Sequence, residues 1–202
     1  MAKYKKIFKE GLAYDNPVLF QVIGICSALA VTNLMMNSLI MGIALTFVTG
    51  LSSLVISLLR NVTPKHIRMI VQVFIISFFV IIVDIFLKAY MPAMSKTLGP
   101  YVGLIITNCI IMGRAEAFAI SNKPIPSLVD GIAAGLGYTI VLLLISLFRE
   151  ILGFGSVFGF RFMPESFVPW TMMIMPPGAF FILAMIMWVA NTKLNKGEGE
   201  EK

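Results

Sequence analysis

Charged residues are scarce in this chain of 202 residues: Asp, Glu, Lys and Arg make up only 13%, against 58% apolar residues. The mean hydropathy is +0.92, far above that of an average soluble domain. The few charges gather between long apolar runs, so no stretch has the composition of a soluble catalytic domain. The composition predicts an integral membrane protein with little mass outside the bilayer.

Residues that build familiar catalytic sites are also few. The chain has one histidine, His66, and two cysteines, Cys26 and Cys109. It contains no Gly-rich phosphate loop, no HExxH zinc motif and no candidate Ser-His-Asp set. We therefore expect neither a nucleotide site nor a hydrolase site within this chain, and the two cysteines become the residues of interest.

Six membrane segments are predicted from their lengths, because a helix needs about 20 residues to cross roughly 30 Å of hydrocarbon. Four segments approach that length: Leu39–Leu59, Met69–Leu87, Gly131–Phe148 and Thr171–Ala190. The first and fourth segments, Pro17–Thr32 and Tyr101–Gly113, are shorter and contain small or polar residues. We predict that these two are short, broken helices whose free backbone groups are satisfied by protein rather than lipid.

Basic residues predict the orientation of the six segments. Twelve of the sixteen lysines and arginines fall on the side that carries both termini, and four on the other side, which places both termini in the cytoplasm. The net charge of +6 is then a topology signal with attraction for anionic membrane lipids, and it implies no nucleic acid partner.

The N-terminal residues 1–15 carry apolar side chains at helical spacing among lysines. We predict an amphipathic helix on the inner membrane face rather than a cleaved signal peptide, because Asp15 and Asn16 delay the apolar run.

An internal repeat is indicated by matching features in two halves of the chain, about 17–92 and about 100–191. Each half has a cysteine in its short segment and a following long span that ends at an arginine, Arg60 or Arg149. Three spans per half is an odd number, so the halves cross the membrane in opposite senses. The expected fold is therefore an all-α membrane domain over 1–202, built from two inverted three-helix repeats, with Cys26 and Cys109 meeting near the bilayer centre.

Three chemical roles are open to two such thiols. A buried cysteine can act as a small hydrophobic residue that fills space. A disulfide across the repeats is poorly motivated, since thiols buried in a bilayer meet few oxidants. Iron–sulfur ligation is the sharper hypothesis, and because a [2Fe–2S] centre takes four ligands, a partner of similar architecture has to bring the other two.

The neighbours of the cysteines fit a dry site with a few polar groups. Apolar residues flank both thiols and exclude water: Ile25, Leu29, Ile110 and Ile111. Small or polar neighbours are predicted to place donors near cluster sulfur: Gly24, Ser27, Thr107 and Asn108.

Charged residues near the membrane invite two further interpretations. Asp84 lies inside a span, but Lys88 is four residues on, which favours a helix-end ion pair over an ion pathway. The pairs Arg114 and Glu116, and Arg149 and Glu150, are expected at the membrane boundaries, either as interfacial anchors or as seats for a soluble partner domain.

A GxxxG motif at Gly131–Gly135 predicts a close contact between helices.

Three motifs carry a resemblance to a known family: G-I-C-S-A-L-A-V-T around Cys26, I-I-T-N-C-I-I-M-G-R-A-E-A-F-A around Cys109, and I-P-S-L-V-D-G-I-A-A-G-L-G-Y from Ile125. They resemble the membrane-protein family that includes the D subunit of the bacterial sodium-translocating NADH:quinone reductase and the E subunit of the Rnf ferredoxin-oxidising complex. The resemblance spans nearly the whole chain. The Rnf protein has proline after the first cysteine, where this chain has Ser27, and this difference favours the quinone reductase.

The resemblance implies a site and a set of partners. It implies that Cys26 and Cys109 ligate an intramembrane iron centre, [2Fe–2S], shared with the homologous E subunit of opposite orientation. It further implies the A, B, C and F subunits as partners, with NADH, flavins and quinone bound outside this chain, and a place in the bacterial inner membrane. The chain is then a multi-pass component of a sodium-pumping translocase, without a complete active site of its own.

Other functions remain open at the level of sequence. One is the E subunit of the Rnf complex, and another is a small secondary transporter, because inverted repeats with broken helices are typical of that class. A third is a structural membrane protein whose cysteines only pack.

Overall fold

The computed structural model describes residues 23–154, 156–157, 160–161 and 175–198. Its helices are, in chain order, α1 (Ile25–Val31), α2 (Met35–Leu59), a 3₁₀ turn (Lys65–Ile67), α3 (Arg68–Tyr90), α4 (Pro92–Ile106), α5 (Cys109–Arg114), a π-helical turn (Ala115–Ala119), α6 (Pro124–Phe154) and α7 (Pro176–Glu198). The predicted interfacial helix over 1–15 lies outside the described residues, as do the beginnings of the first and sixth segments.

Membrane-spanning character is clear from length and composition. Within the described ranges, four helical stretches are long and apolar enough to cross a bilayer: Met35–Leu59, Lys65–Tyr90, Lys96–Ala119 and Pro124–Gly153. A shorter apolar helix covers Pro177–Thr192. The all-α prediction misses one feature, because Ser156–Val157 and Phe160–Arg161 pair as a small antiparallel hairpin, β1 and β2, after α6.

The fourth segment is broken, as predicted, but it is not short. Its helix begins at Pro92, a residue suited to the first helical position, and the helical path continues to Ala119. The break lies at Thr107 and Asn108, between α4 and α5. The prediction of a segment limited to 101–113 is wrong because polar residues of its first turns lower the local hydropathy without preventing helix formation.

The first segment is helical only in its last part, as far as the structure describes it. Gly24 precedes α1 with a φ of 86°, a left-handed conformation that favours glycine. A Cβ atom built on Gly24 would lie 2.5 Å from Cδ1 of Ile110, so the starts of α1 and α5 are packed against each other. The helix ends at Val31, and α2 begins at Met35 after a short turn.

The centre of the fold is the antiparallel crossing of α2 and α6, whose contacts are reciprocal. A Cβ on Gly42 would lie 2.5 Å from Cγ2 of Thr139, and one on Gly135 would lie 2.6 Å from Cα of Thr46. The two threonine hydroxyls are 3.3 Å apart at the crossing. A Cβ on Gly131 would lie 2.9 Å from a backbone oxygen of α2, which confirms the close helix contact predicted from the GxxxG motif.

The remaining helices pack around this crossing. Buried apolar side chains from each of the helices α1 to α7 form one core: Val31, Leu45, Ile76, Ile105 and Ile182 are among its members. The other face of α3 leaves large apolar side chains exposed, including Phe74 and Phe78, as expected for a helix that faces lipid or another protein.

Candidate metal centre

Each of the two cysteines lies in the first turn of a short helix. Cys26 is the second residue of α1, a helix of 7 residues, and Cys109 is the first residue of α5, which has 6. Both are free thiols, and both are exposed on the surface of the chain. Each thiol therefore lies just after an interruption of helical structure. Each is accessible to a bound group or to another protein.

A buried hydrogen-bond network joins the two cysteine-bearing helices. Asn108, directly before Cys109, donates from Nδ2 to Oγ of Ser27, directly after Cys26, over 3.0 Å. The hydroxyl of Tyr138 on α6 lies 2.6 Å from the same Ser27 oxygen. The starts of α1 and α5 therefore lie side by side. Tyr138 places α6 in contact with this pair of helix starts through Ser27.

Ser27 and Asn108 are buried, and their side chains form hydrogen bonds within the chain. They are 3% and 4% exposed, respectively, and their polar atoms bind each other, Tyr138 and local backbone groups. That these two residues place backbone or side-chain donors near cluster sulfur stays a prediction. Thr107, by contrast, is exposed beside the break.

The apolar residues expected to exclude water lie at different depths. Ile110 and Ile111 are fully buried in the core, whereas Ile25 and Leu29 are only partly buried. Buried apolar side chains therefore exclude water on the interior side of the cysteine-bearing helices. The two thiols themselves face outward from the chain.

Arg149 and Glu150 are buried within the chain. Arg149 donates from Nη1 to Oγ1 of Thr32 over 2.7 Å, and Glu150 accepts from the backbone N–H of Met35 over 2.9 Å. These side chains satisfy groups at the turn between α1 and α2. The prediction of a partner seat is wrong here, because free backbone groups beside a broken helix need buried polar partners and these side chains supply them. The predicted position at the membrane boundary stays a prediction.

Arg60 makes a contact like that of Arg149, at the opposite end of the crossing between α2 and α6. It donates from Nη1 to the backbone oxygen of Asn122 over 2.8 Å, and Ser57 donates to the same oxygen over 2.7 Å. Each arginine at the end of a long span thus contacts the turn that follows the cysteine-bearing helix of the opposite half.

Arg114 is also buried, and it forms an ion pair that was not anticipated. Its guanidinium donates to both carboxylate oxygens of Asp130 on α6, with Nε to Oδ2 at 3.0 Å. The side chains are only 10% and 3% exposed. The sequence did contain a feature that could have predicted this pair. Asp130 is an acidic residue inside an apolar segment, and such a residue requires a buried basic partner.

Glu116 is exposed and contacts the start of α3. It accepts from Arg68 over 3.0 Å and from the Gln72 amide over 3.0 Å.

Asp84 and Lys88 form the predicted ion pair, at 2.6 Å on the exposed end of α3.

The chain alone does not offer a full set of metal ligands within its described residues. No group of three or more His, Cys, Asp or Glu side chains is placed to hold a metal ion in those ranges. The two thiols fit one half of an iron–sulfur site, because they are free, exposed and carried by two helices that are hydrogen-bonded to each other.

Comparisons with known proteins give a consistent result. A family model described as "Rnf-Nqr subunit, membrane protein" matches residues 4–187. The chain is 48% identical to the D subunit of the Na(+)-translocating NADH-quinone reductase of Chlamydia trachomatis serovar L2, over 93% of each chain. The same protein of Chlamydia felis is 47% identical, covering 96% of this chain and 95% of that protein. That of Psychromonas ingrahamii is 48% identical, over 93% and 92%.

Proposed function

The chain belongs to the Rnf-Nqr family of membrane proteins, and from this premise we propose that it is the D subunit of a Na(+)-translocating NADH-quinone reductase. The observation that carries the proposal is the near full-length similarity to proteins of that name. In this role the chain is one part of an oxidoreductase and catalyses nothing when isolated.

Within that complex, Cys26 and Cys109 are proposed to hold an iron–sulfur centre shared with the homologous E subunit. Two observations support this assignment: both thiols are exposed, and the residues next to them are hydrogen-bonded to each other. A [2Fe–2S] centre takes four ligands, so two thiols alone are too few. The partner protein would bring two further thiolates. Such a group supplies one-electron chemistry when bound.

The fold suits a relay position in the membrane. A hydrocarbon core of roughly 30 Å is too wide for one efficient electron-tunnelling step, so a carrier is needed at intermediate depth. This chain holds the thiols at helix breaks, and buried Ile110 and Ile111 exclude water behind them. NADH, flavins and quinone are assigned to the other proteins of the complex.

An inverted repeat is the proposed basis of this arrangement. The reciprocal contacts of Gly42 with Thr139 and of Gly135 with Thr46 support a pseudo-two-fold axis between α2 and α6. So do the matching contacts of Arg60 and Arg149 with the turns after α5 and α1. The antiparallel sense of α2 and α6 is the sense that inversion requires.

The proposal is tested in the purified complex with Cys26→Ala and Cys109→Ala. Each variant should lose one iron–sulfur signal in electron paramagnetic resonance and the corresponding iron. Quinone reduction should fall to near background, because the relay is interrupted, whereas NADH oxidation by an artificial acceptor should persist. Ser77→Ala on α3 is a matched truncation of a small side chain and should change none of these readouts.

Competing functions predict different results in the same preparations. Full quinone reduction and unchanged iron in a double cysteine-to-serine variant would assign the thiols a packing role. Solute uptake by this chain alone in vesicles would favour a secondary transporter. Ferredoxin-dependent reduction of NAD by the native complex would favour the Rnf assembly.

A further inference from the structure

We propose that Tyr138 is a positioning residue for the two thiols and that it acts through Ser27 and Asn108. The inference rests on the proposed function, because it concerns the same metal centre. Tyr138 lies on neither cysteine-bearing helix, and no motif at either cysteine includes it.

The hydrogen bonds of Ser27 are complete only with Tyr138. A serine hydroxyl has one proton to donate and two lone pairs that accept. Ser27 donates to the backbone oxygen of Gly24 over 3.1 Å and accepts from Nδ2 of Asn108. The remaining lone pair faces the Tyr138 hydroxyl at 2.6 Å, so Tyr138 is the donor in that bond.

Asn108 is held in one orientation by two different partners. Its Oδ1 accepts from the backbone N–H of Ile110 over 3.0 Å, which caps the start of α5. Its Nδ2 donates to Ser27. A rotation of the amide by half a turn would break both bonds, so the bond to Ser27 fixes α5 relative to α1.

Tyr138 is itself held in place by the close packing of α6 against α2. It is 0% exposed, and in sequence it lies between Gly135 and Thr139, two of the α6 residues that contact α2 at the crossing. Its hydroxyl is therefore an anchor set by the long helices rather than by α1 or α5.

The short cysteine-bearing helices need such an anchor. α1 has 7 residues, and α5 continues only through the π-helical turn to Ala119. Both are below the roughly 12–15 residues at which an isolated helix becomes marginally stable in water, so tertiary contacts set their positions. Ser27 and Asn108 are covalent neighbours of Cys26 and Cys109, so a shift of either side chain moves a thiol. Tyr138 thereby sets the distance and direction of both thiols toward the shared centre.

Tyr138→Phe in the assembled complex removes the hydroxyl and keeps the ring. We expect the centre to assemble with a broadened paramagnetic resonance signal and a changed midpoint potential. The affinity of the site for iron should fall by about 10-fold, the lower end of the effect seen when supporting partners of metal ligands are removed, and iron should be lost to a chelator faster than from the parent. Tyr101→Phe, a partly buried tyrosine of α4 outside the network, is the control and should match the parent.

Ser27→Ala tests whether Tyr138 acts through Ser27. The double variant Ser27→Ala, Tyr138→Phe should resemble Ser27→Ala alone in signal, potential and chelator rate, because the tyrosine has then lost its acceptor. Additive effects would overturn the route through Ser27.

Two results separate this inference from the proposed function. If Cys26→Ala removes the iron signal while Tyr138→Phe behaves like Tyr101→Phe, the positioning role is wrong and the metal centre stands. If Cys26→Ala keeps the signal, the proposed metal centre itself is wrong. Failure of both Tyr138→Phe and Ser27→Ala to form a complex would assign the network a folding role only and would overturn the proposal.

Discussion

At the scale of single residues, burial decides what a charge pair does. Arg114 and Asp130 are enclosed between α5 and α6, whereas Asp84 and Lys88 lie one turn apart on an exposed helix end. The two pairs have similar chemistry. Only the buried pair leaves an uncompensated charge in a medium of low dielectric constant when one partner is neutralised.

Asp130→Asn should therefore destabilise the chain far more than Asp84→Asn. Breaking a buried pair costs about 3–5 kcal/mol, and breaking an exposed pair costs about 0–1 kcal/mol. The measurement is the free energy of unfolding of the full chain in mixed micelles during titration with a denaturing detergent. Equal losses in the two variants would show that the Arg114–Asp130 pair contributes no more than a surface pair.

At the scale of elements, the fold depends on how closely α2 and α6 approach. Glycine and threonine alternate at the crossing, so that the small residue of one helix receives the side chain of the other: Gly42, Thr46, Gly135 and Thr139 form the two reciprocal pairs. Close backbone approach is how membrane helices gain packing energy where both sides of the contact are apolar.

Gly135→Ala should loosen this crossing, because the new methyl group would lie 2.6 Å from Cα of Thr46, a backbone atom that cannot rotate away. We expect a loss of about 1–3 kcal/mol in the free energy of unfolding, as for other overpacked cores.

Gly103→Ala is the matched control on α4, since a Cβ there meets nothing within 4 Å. It should be neutral or stabilising by up to about 1 kcal/mol, because alanine favours helix more than glycine does. Similar destabilisation at both positions would argue against a specific role for the α2–α6 contact.

At the scale of the whole molecule, the described surface of the chain combines two exposed thiols with an exposed apolar face. The interior seals the thiols from behind, and α3 carries an exposed apolar surface. The uneven division of sixteen basic residues between the loops is the feature from which we predict the orientation of the chain in the membrane.

Fusion reporters test the orientation. Green fluorescent protein attached after Lys202 should fluoresce, because it folds in the cytoplasm, and alkaline phosphatase fused after Tyr90 should be active outside. Alkaline phosphatase fused after Asn61, in the loop between α2 and α3, should be inactive and serves as the paired control. The reverse pattern would contradict an arrangement with both termini inside.

Much of the fold was predictable because hydropathy is a local property. The spans that became α2, α3 and α6 follow from apolar length, and the break near Cys109 follows from a short segment with polar residues. The start of α4 at Pro92 was missed, since hydropathy does not distinguish a polar first turn from a loop. The Gly131–Gly135 contact was predicted as a motif, but its partner on α2 was not.

The sequence by itself determined the membrane class, the long spans and the choice of Cys26 and Cys109 as candidate ligands, because composition and spacing carry that information along the chain. Only the tertiary structure decided that Ser27, Asn108 and Tyr138 form one network and that Arg114 and Arg149 are buried. Such contacts join residues far apart in sequence, and a buried charge or hydroxyl is tolerated only where the fold brings its partner within hydrogen-bond distance.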